Sequence, residues 1–145
     1  MKRKALITVS AKARYTDGNR EKTIYTVNGT MEDAGAGWRV SYTEPEDGGM
    51  AGTVTMLDIT RKRVELTRAG SVHHYLIFTQ GLPFSSVYET PHGKFNAEIH
   101  TGSLRARFGG HGGLLELKYD MELGGVESAR ELTIRVKTLE GEGEP

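Results

Sequence analysis

The sequence lacks cysteine, and this absence excludes disulfide bonds, thiolate metal sites and cysteine nucleophiles together. It also lacks any apolar run close to the roughly 20 residues that a membrane helix needs. The basic residues 1–4 are not followed by the apolar segment that is typical of a secretory signal. We therefore expect a cytoplasmic protein with no membrane partner.

An excess of charge of one sign is also missing, because 19 Lys and Arg residues balance 19 Asp and Glu residues. Proteins whose main partner is nucleic acid are usually basic, since contacts with phosphate supply most of their affinity. The basic residues Arg61-Lys62-Arg63, Arg105 and Arg107 have no aromatic residues among them that could stack on bases. We expect these residues to be exposed strand and turn charges, and we expect no nucleic-acid partner.

Motifs that identify a reaction are absent as well. No His-Glu-x-x-His zinc motif and no Gly-x-Ser-x-Gly nucleophile motif occurs. The glycines of residues 109–113 resemble a phosphate loop in composition only, because a strand follows them where a phosphate loop requires a helix. The sequence therefore favours a non-enzymatic protein with no cofactor, no metal and no catalytic residues. A hydrolase with a histidine–carboxylate pair remains an alternative.

What the sequence does contain is strict alternation of apolar and charged residues near its C-terminal end. The apolar positions of two such runs are Leu115, Leu117, Tyr119, Met121 and Leu123, then Leu132, Ile134 and Val136. Successive side chains of a strand point to opposite faces, so each run predicts a half-buried strand. If the two strands pair as a hairpin, the numbers of opposite residues should sum to an odd number. Examples are Tyr119 with Val136 and Asp120 with Arg135.

The same unit, a short strand followed by a glycine-marked turn, repeats along the chain. Residues 56–66 could instead form a helix, but their apolar residues do not hold a 3.6-residue period. Whether residues 95–108 form one bent strand or two short ones stays open. The nine or ten predicted strands cover residues 4–14, 20–31, 38–42, 52–59, 64–68, 72–78, 84–90, 95–108, 114–123 and 131–137.

Consecutive hairpins predict an all-β antiparallel meander of about 8–10 strands. Closing the sheet into a barrel removes its exposed edges and covers its apolar face, whereas a two-sheet sandwich is the alternative. We assign residues 1–138 to this one domain and residues 139–145 to an acidic, disordered tail. The acidic segment of residues 44–49 is predicted to be a hydrated loop.

The five histidines suggest a metal or acid–base site only weakly. His73 and His74 are adjacent and must point in opposite directions, so one of them should face inward. Glu98 and His100 share one strand face with Asn96, and we expect that face to meet water because Phe95, Ala97 and Ile99 occupy the other. We assign no role to His92 or His111.

Polar residues that face the barrel interior are the better candidates for a binding site. A barrel of this size either fills with side chains or holds one small ligand. Arg68 continues the inward alternation of Val64 and Leu66, and an interior arginine needs an anionic partner from the protein or from a ligand. Alternatively, Arg68 lies at the rim and pairs with a surface carboxylate. The candidate ligand-binding residues are Arg68, Tyr42, Tyr75, Tyr88 and Tyr119, with Tyr25 as a further interior tyrosine.

Several segments from residue 53 onward follow one another in a distinctive order. They are Thr53-Val54-Thr55, Arg68-Ala69-Gly70, Phe78-Thr79-Gln80-Gly81, Tyr88-Glu89-Thr90-Pro91-His92-Gly93 and Leu117-Lys118-Tyr119-Asp120-Met121-Glu122-Leu123. This order resembles that of the YwiB-like family of uncharacterised bacterial proteins. The resemblance implies a calycin-like, lipocalin-type barrel and brings no established activity, cofactor or catalytic residue. His92 and His111 depart from the family pattern.

From fold analogy, we predict that the barrel binds a small anionic or amphipathic molecule in its cavity. The alternative is a barrel with a filled interior that acts through protein–protein contacts, as a homo- or hetero-oligomer. The sequence does not specify the oligomeric state.

Overall fold

A computed structural model describes residues 2–46 and 50–139 of the chain. Within these ranges the chain forms ten strands and no helix. The strands are β1 (Lys2–Tyr15), β2 (Arg20–Ala34), β3 (Gly37–Thr43), β4 (Val54–Ile59), β5 (Arg63–Ala69), β6 (His74–Thr79), β7 (Pro83–Thr90), β8 (Gly93–Gly109), β9 (Gly112–Leu123) and β10 (Val126–Thr138). These residues include no helix long and apolar enough to cross a bilayer.

The strands form one antiparallel sheet in the order β6-β5-β4-β3-β2-β1-β10-β9-β8-β7. Strands β6 and β7, at the two ends of this order, meet through a bridge between His73 and Glu89, whose backbone N–H groups donate to each other's carbonyl oxygens at 2.8 and 2.9 Å. The sheet is therefore a nearly closed barrel. This confirms the predicted all-β meander and its calycin-like architecture.

The β9–β10 hairpin has the predicted parity but not the predicted partners. Leu123 lies opposite Val126, so opposite residues sum to an odd number, but Tyr119 pairs with Arg130 instead of Val136. The connection is a two-residue turn in which Gly124 and Gly125 both have positive φ, at 57° and 86°. Such a turn matches the twist of the strands, and glycine adopts its backbone angles without strain. The sequence examples assumed a longer loop.

Two open questions about the strands are resolved. The residues of the rival helix, 56–66, lie in β4, β5 and the turn between them. Residues 93–109 form one long strand, β8, with a register irregularity between Thr101 and Ser103. A bulge of this kind bends a strand and lets it wrap around a barrel.

The core is the inward face of the sheet, and it follows the alternation of the sequence. Leu117, for example, is 1% exposed. Burying a large aliphatic side chain is worth about 1.5–3 kcal/mol, so these positions fix which face of each strand points inward. The largest fully buried side chains are Ile7, Met31, Val40, Leu57, Ile59, Leu66, Leu76, Phe78, Ile99, Leu115, Leu117 and Ile134.

The predicted acidic tail falls mostly outside the described residues, which end at Leu139. The backbone N–H of Leu139 donates to the carbonyl oxygen of Lys4 at 2.9 Å, so this residue extends the contact between β10 and β1. The prediction about residues 140–145 concerns positions that the structure does not describe, and so does the part of the acidic loop at residues 47–49.

Candidate functional site

Glu44 is a buried carboxylate that the sequence analysis placed in a hydrated loop, and that prediction was wrong. Its side chain is 1% exposed. It accepts hydrogen bonds from the hydroxyl of Tyr25, at 2.7 Å from Oε1, and from the hydroxyl of Thr55 at Oε2. Glu44 follows Val40 and Tyr42 at a spacing of two, so it continues the inward face just beyond β3. Extending the alternation by one step would have found it.

Arg68 faces the interior beside Glu44, as its spacing from Val64 and Leu66 predicted. Its Nε lies 3.9 Å from Oε2 of Glu44, and its side chain is 20% exposed. The anionic partner is therefore a buried protein carboxylate, and not the surface carboxylate of the rim alternative. At 3.9 Å the two groups attract each other without a hydrogen bond. The Nε atom is buried and has no hydrogen-bond partner within residues 2–46 and 50–139.

Two tyrosines surround Glu44 and are held in their neutral form. Burial, together with the nearby Glu44 carboxylate, raises the pKa of Tyr42 to about 12. Burial, followed by the proximity of Tyr42 and by the hydrogen bond that Tyr25 donates to Glu44, raises the pKa of Tyr25 well above its usual value of 10. The two rings meet edge-on, with centroids 6.5 Å apart. Both hydroxyls therefore remain hydrogen-bond donors at neutral pH.

His74 is the inward member of the histidine pair, and His73 is exposed. His74 lies directly opposite Arg68 in the β5–β6 pairing. Burial, and secondly the positive charge of Arg68, lower the pKa of His74 from 6.5 to about 4. Because the folded state resists protonation of His74, this residue favours folding most above pH 6.5, and its contribution falls as the pH drops towards 4.

Four buried polar atoms lie without partners on the consecutive strands β5 to β8. They are Nε of Arg68, Nε2 of His74, Oγ of Ser86 and Oγ1 of Thr101, none of which has a hydrogen-bond partner among the described residues. Ser86 and Thr101 pair with the inward-facing Ala97 and Tyr119, so they share the interior face. Native proteins satisfy most buried polar groups, and those that remain call for a water, an ion or a ligand.

Two of the predicted interior tyrosines border this polar region. The ring of Tyr88 contacts His74, with centroids 4.7 Å apart. The ring of Tyr119 packs edge-on against Phe78 at 4.9 Å. Burial raises the pKa of Tyr119, while the positive charges of Arg130 and Arg68 oppose the rise. We call Glu44, Arg68, Tyr42, His74 and Tyr88, which lie together inside the barrel, the interior polar cluster.

Tyr75 does not belong to this region, and its predicted inward orientation was wrong. It is 41% exposed and stands on the outer face of β6. Leu76 and Phe78 are the buried residues of that strand, so the residues that alternate with them point outward. Both faces of this segment carry apolar residues in the sequence, and this hid the correct phase.

The outer surface has other polar features. The expected solvent-facing pair is present, with Nε2 of His100 at 3.1 Å from Oε2 of Glu98, both half-exposed. No group of three His, Asp or Glu side chains able to hold a metal ion occurs in the described part of the chain. Two open grooves, of about 630 and 460 Å³, lie on this outer surface, and Tyr119 lines the first of them. Arg68 lines neither groove.

The fold and the interior define the class of protein as a nearly closed, ten-stranded, calycin-like β-barrel with a polar cluster inside it. The family described as Domain of unknown function (DUF1934) matches residues 7–135, and the chain belongs to this family. The structure is similar to that of the ywiB protein from Bacillus subtilis, with a TM-score of 0.84 and 20% identity over 94% of this chain and 92% of that one. This confirms the predicted resemblance, and at this identity it concerns the fold alone. No curated protein matches the chain.

Proposed function

We propose that the barrel binds a small molecule through an anionic group, a carboxylate or a phosphate, at the interior polar cluster. The observation that carries the proposal is the buried Nε of Arg68, which has no hydrogen-bond acceptor among the described residues. An arginine donates five N–H groups in a planar fork that matches carboxylate and phosphate oxygens. An unused guanidinium inside a barrel is the group expected at the centre of an anion site.

Glu44 supports this assignment because it holds Arg68 without using its hydrogen-bond donors. The carboxylate already accepts hydrogen bonds from Tyr25 and Thr55, and it stands 3.9 Å from Nε of Arg68. It therefore offsets the cost of placing a positive charge inside the barrel, while the N–H groups of Arg68 remain available. In this scheme Glu44 is a positioning residue and Arg68 is the ligand-binding residue.

The surroundings of Arg68 suit a molecule that combines one anionic end with an apolar or aromatic body. Tyr88 and Tyr119 supply aromatic surface, and Tyr42 supplies a ring with a neutral hydroxyl. Because the pKa of His74 is about 4, its ring is neutral at physiological pH and adds no second positive charge. Buried polar atoms of Ser86 and Thr101 offer further contacts to a polar substituent.

The test is a thermal-shift screen of small carboxylates and phosphates against the full chain. Saturation to about 100 times Kd would stabilise the protein by about 2.7 kcal/mol, which is about 5–10 °C in Tm for a domain of this size. Arg68→Lys should abolish the shift, because lysine keeps the charge but loses the planar fork. The matched control is Tyr75→Phe on the outer face of β6, which should leave the shift unchanged.

The proposal fails if no compound raises the Tm of the wild-type chain by more than about 1 °C at millimolar concentration. A ligand that needs more than this would bind with a Kd weaker than about 1 mM. It also fails if a stabilising compound acts equally on the wild-type chain and on Arg68→Lys, because the site would then lie elsewhere.

A further inference from the structure

The outer face of the β1–β2 hairpin brings like charges together. Lys12 lies directly opposite Lys22, and Arg14 lies directly opposite Arg20. All four side chains are exposed, and none forms an ion pair or a hydrogen bond with another described residue. Like charges at opposite positions destabilise an antiparallel pair. We call these four residues the basic square, and Lys12 alone among them has an acidic residue, Glu131 of β10, directly opposite it on a neighbouring strand.

A row of carboxylates on the same outer face has the same unfavourable arrangement. Glu122 of β9 lies opposite Glu127 of β10 on one side and opposite Glu98 of β8 on the other. The three side chains are exposed, and Glu98 is the one whose carboxylate contacts His100. A bound metal ion could explain such a row, but residues 2–46 and 50–139 contain no group of His, Asp and Glu side chains that could hold one. We call the three glutamates the acidic row.

The two charged areas sit side by side across strands β2, β1, β10, β9 and β8. With strands about 4.8 Å apart and about 6.7 Å between successive residues on one face, their centres are roughly 16 Å apart. Ala129 lies close to the midpoint. It lines both outer grooves, of which the larger contains the whole basic square and the smaller contains the whole acidic row.

We propose that this face binds a second copy of the chain, with a two-fold axis passing over Ala129. In that arrangement the basic square of each copy faces the acidic row of the other. Both groups of like charges are then neutralised by one self-complementary contact, as the symmetry of a two-fold interface requires. The small side chain of Ala129 lets the two sheets approach closely, and the long charged side chains enter the partner's grooves.

The area of this outer face limits the affinity expected for the dimer. Five strands and three rows of side chains span roughly 20 by 20 Å, so each copy contributes roughly 400 Å² in projection. A stable, specific interface buries about 800 Å² on each partner. The dimer should therefore be weak and strongly dependent on salt, because exposed ion pairs are screened.

Sedimentation equilibrium of the full chain tests the proposal, with charge reversal as the perturbation. At about 100 μM protein and about 20 mM salt the wild-type chain should be largely dimeric, and about 0.5 M salt should dissociate it. One variant reverses the basic square (Lys12→Glu, Arg14→Glu, Arg20→Glu, Lys22→Glu). The other reverses the acidic row (Glu98→Lys, Glu122→Lys, Glu127→Lys). Each variant alone should be monomeric.

An equimolar mixture of the two variants should recover the dimer, because the acidic square of one then faces the basic row of the other. Arg105→Glu, on the same face but outside both charged areas, should leave the wild-type equilibrium unchanged. Thermal melts of every variant establish that it folds. A monomeric wild-type chain in low salt overturns the proposal, as does a mixture that stays monomeric. Pyrophosphate that stabilises a monomeric chain through the basic square would also overturn it, in favour of a small polyanion as the occupant.

Discussion

Replacing Glu44 with glutamine probes the centre of the interior polar cluster. The amide keeps the shape of the side chain but removes its charge. Its single oxygen can accept from Tyr25 or from Thr55, whereas the carboxylate accepts from both through different oxygens. Arg68 would also lose the carboxylate that lies 3.9 Å from its Nε. Glu44→Gln therefore removes one hydrogen bond to a charged group and leaves a half-buried cation without its counter-charge.

The expected loss is about 3 kcal/mol of the free energy of unfolding. A hydrogen bond to a charged group is worth about 1.5–3 kcal/mol. Removing one partner of a fully buried ion pair costs about 3–5 kcal/mol, and we take the lower end because 20% of the Arg68 side chain remains exposed. In a domain of this size the loss corresponds to roughly 10 °C in Tm.

Urea denaturation followed by tryptophan fluorescence measures this loss, because Trp38 is the only tryptophan and it packs against the core. The matched control is Glu46→Gln, two residues away and exposed, which should change stability by less than about 0.5 kcal/mol. In the Glu44→Gln background, Arg68→Met should cost at least about 1 kcal/mol less than it does alone. A loss below about 1 kcal/mol for Glu44→Gln, or strict additivity with Arg68→Met, would refute the buried pairing.

Two further predictions concern acid stability and close packing. Lowering the pKa of His74 from 6.5 to about 4 corresponds to at most about 3 kcal/mol of the free energy of unfolding. Solvent screening reduces this contribution to about 2 kcal/mol. In urea titrations, the fall in stability from pH 7 to pH 4 should therefore be larger by about that amount in the wild-type chain than in His74→Phe. Equal falls would contradict the assignment. Gly29→Ala should lower the free energy of unfolding by about 1–3 kcal/mol, because the added Cβ would overlap the carbonyl oxygen of Ser41 and the side chain of Ile7. Gly109 has open space around it, so the control Gly109→Ala should be nearly neutral in the same titration.

Alternation predicted most of the architecture because the barrel buries one face of every strand. It indicated the inward position that Arg68 occupies, with the rim as the alternative, since Val64 and Leu66 fix the phase of β5. It failed for Tyr75 because β6 carries apolar residues on both faces, so only the tertiary packing of Leu76 and Phe78 decides which face is buried. The local sequence pattern shows that side chains alternate between the two faces of a strand, whereas tertiary packing decides which of these faces is buried.

The alternating sequence pattern could not predict features that depend on the pairing register of the strands or on residues outside a strand. Glu44 lies just past β3 among acidic and glycine residues, whose composition indicated a hydrated loop. Its burial becomes evident only when Tyr25 and Arg68 are brought beside it by the sheet. The basic square and the acidic row likewise appear only when the strand pairing is known, because their members are distant in sequence.

Mutation can distinguish the role of the charged pair inside the barrel from the role of the charged groups on its outer face. Glu44 is buried and Arg68 is partly buried, so the loss of this pair should lower stability at any salt concentration. The basic square and acidic row are exposed, so their reversal should change association and its salt dependence with little effect on the melting of the monomer.

The most direct test of the interior anion site follows the side-chain Nε–H resonances of a ¹⁵N-labelled chain by NMR, with Arg68→Lys identifying the Arg68 signal. Acetate, phosphate and the strongest compound from the thermal-shift screen serve as probes. We expect the Arg68 signal to shift and saturate with at least one probe, while the signal of Arg39, whose Nε already donates to Asp58 at 2.7 Å on the outer face, stays in place. An Arg68 signal that remains unmoved while a probe stabilises the protein would contradict the proposed site.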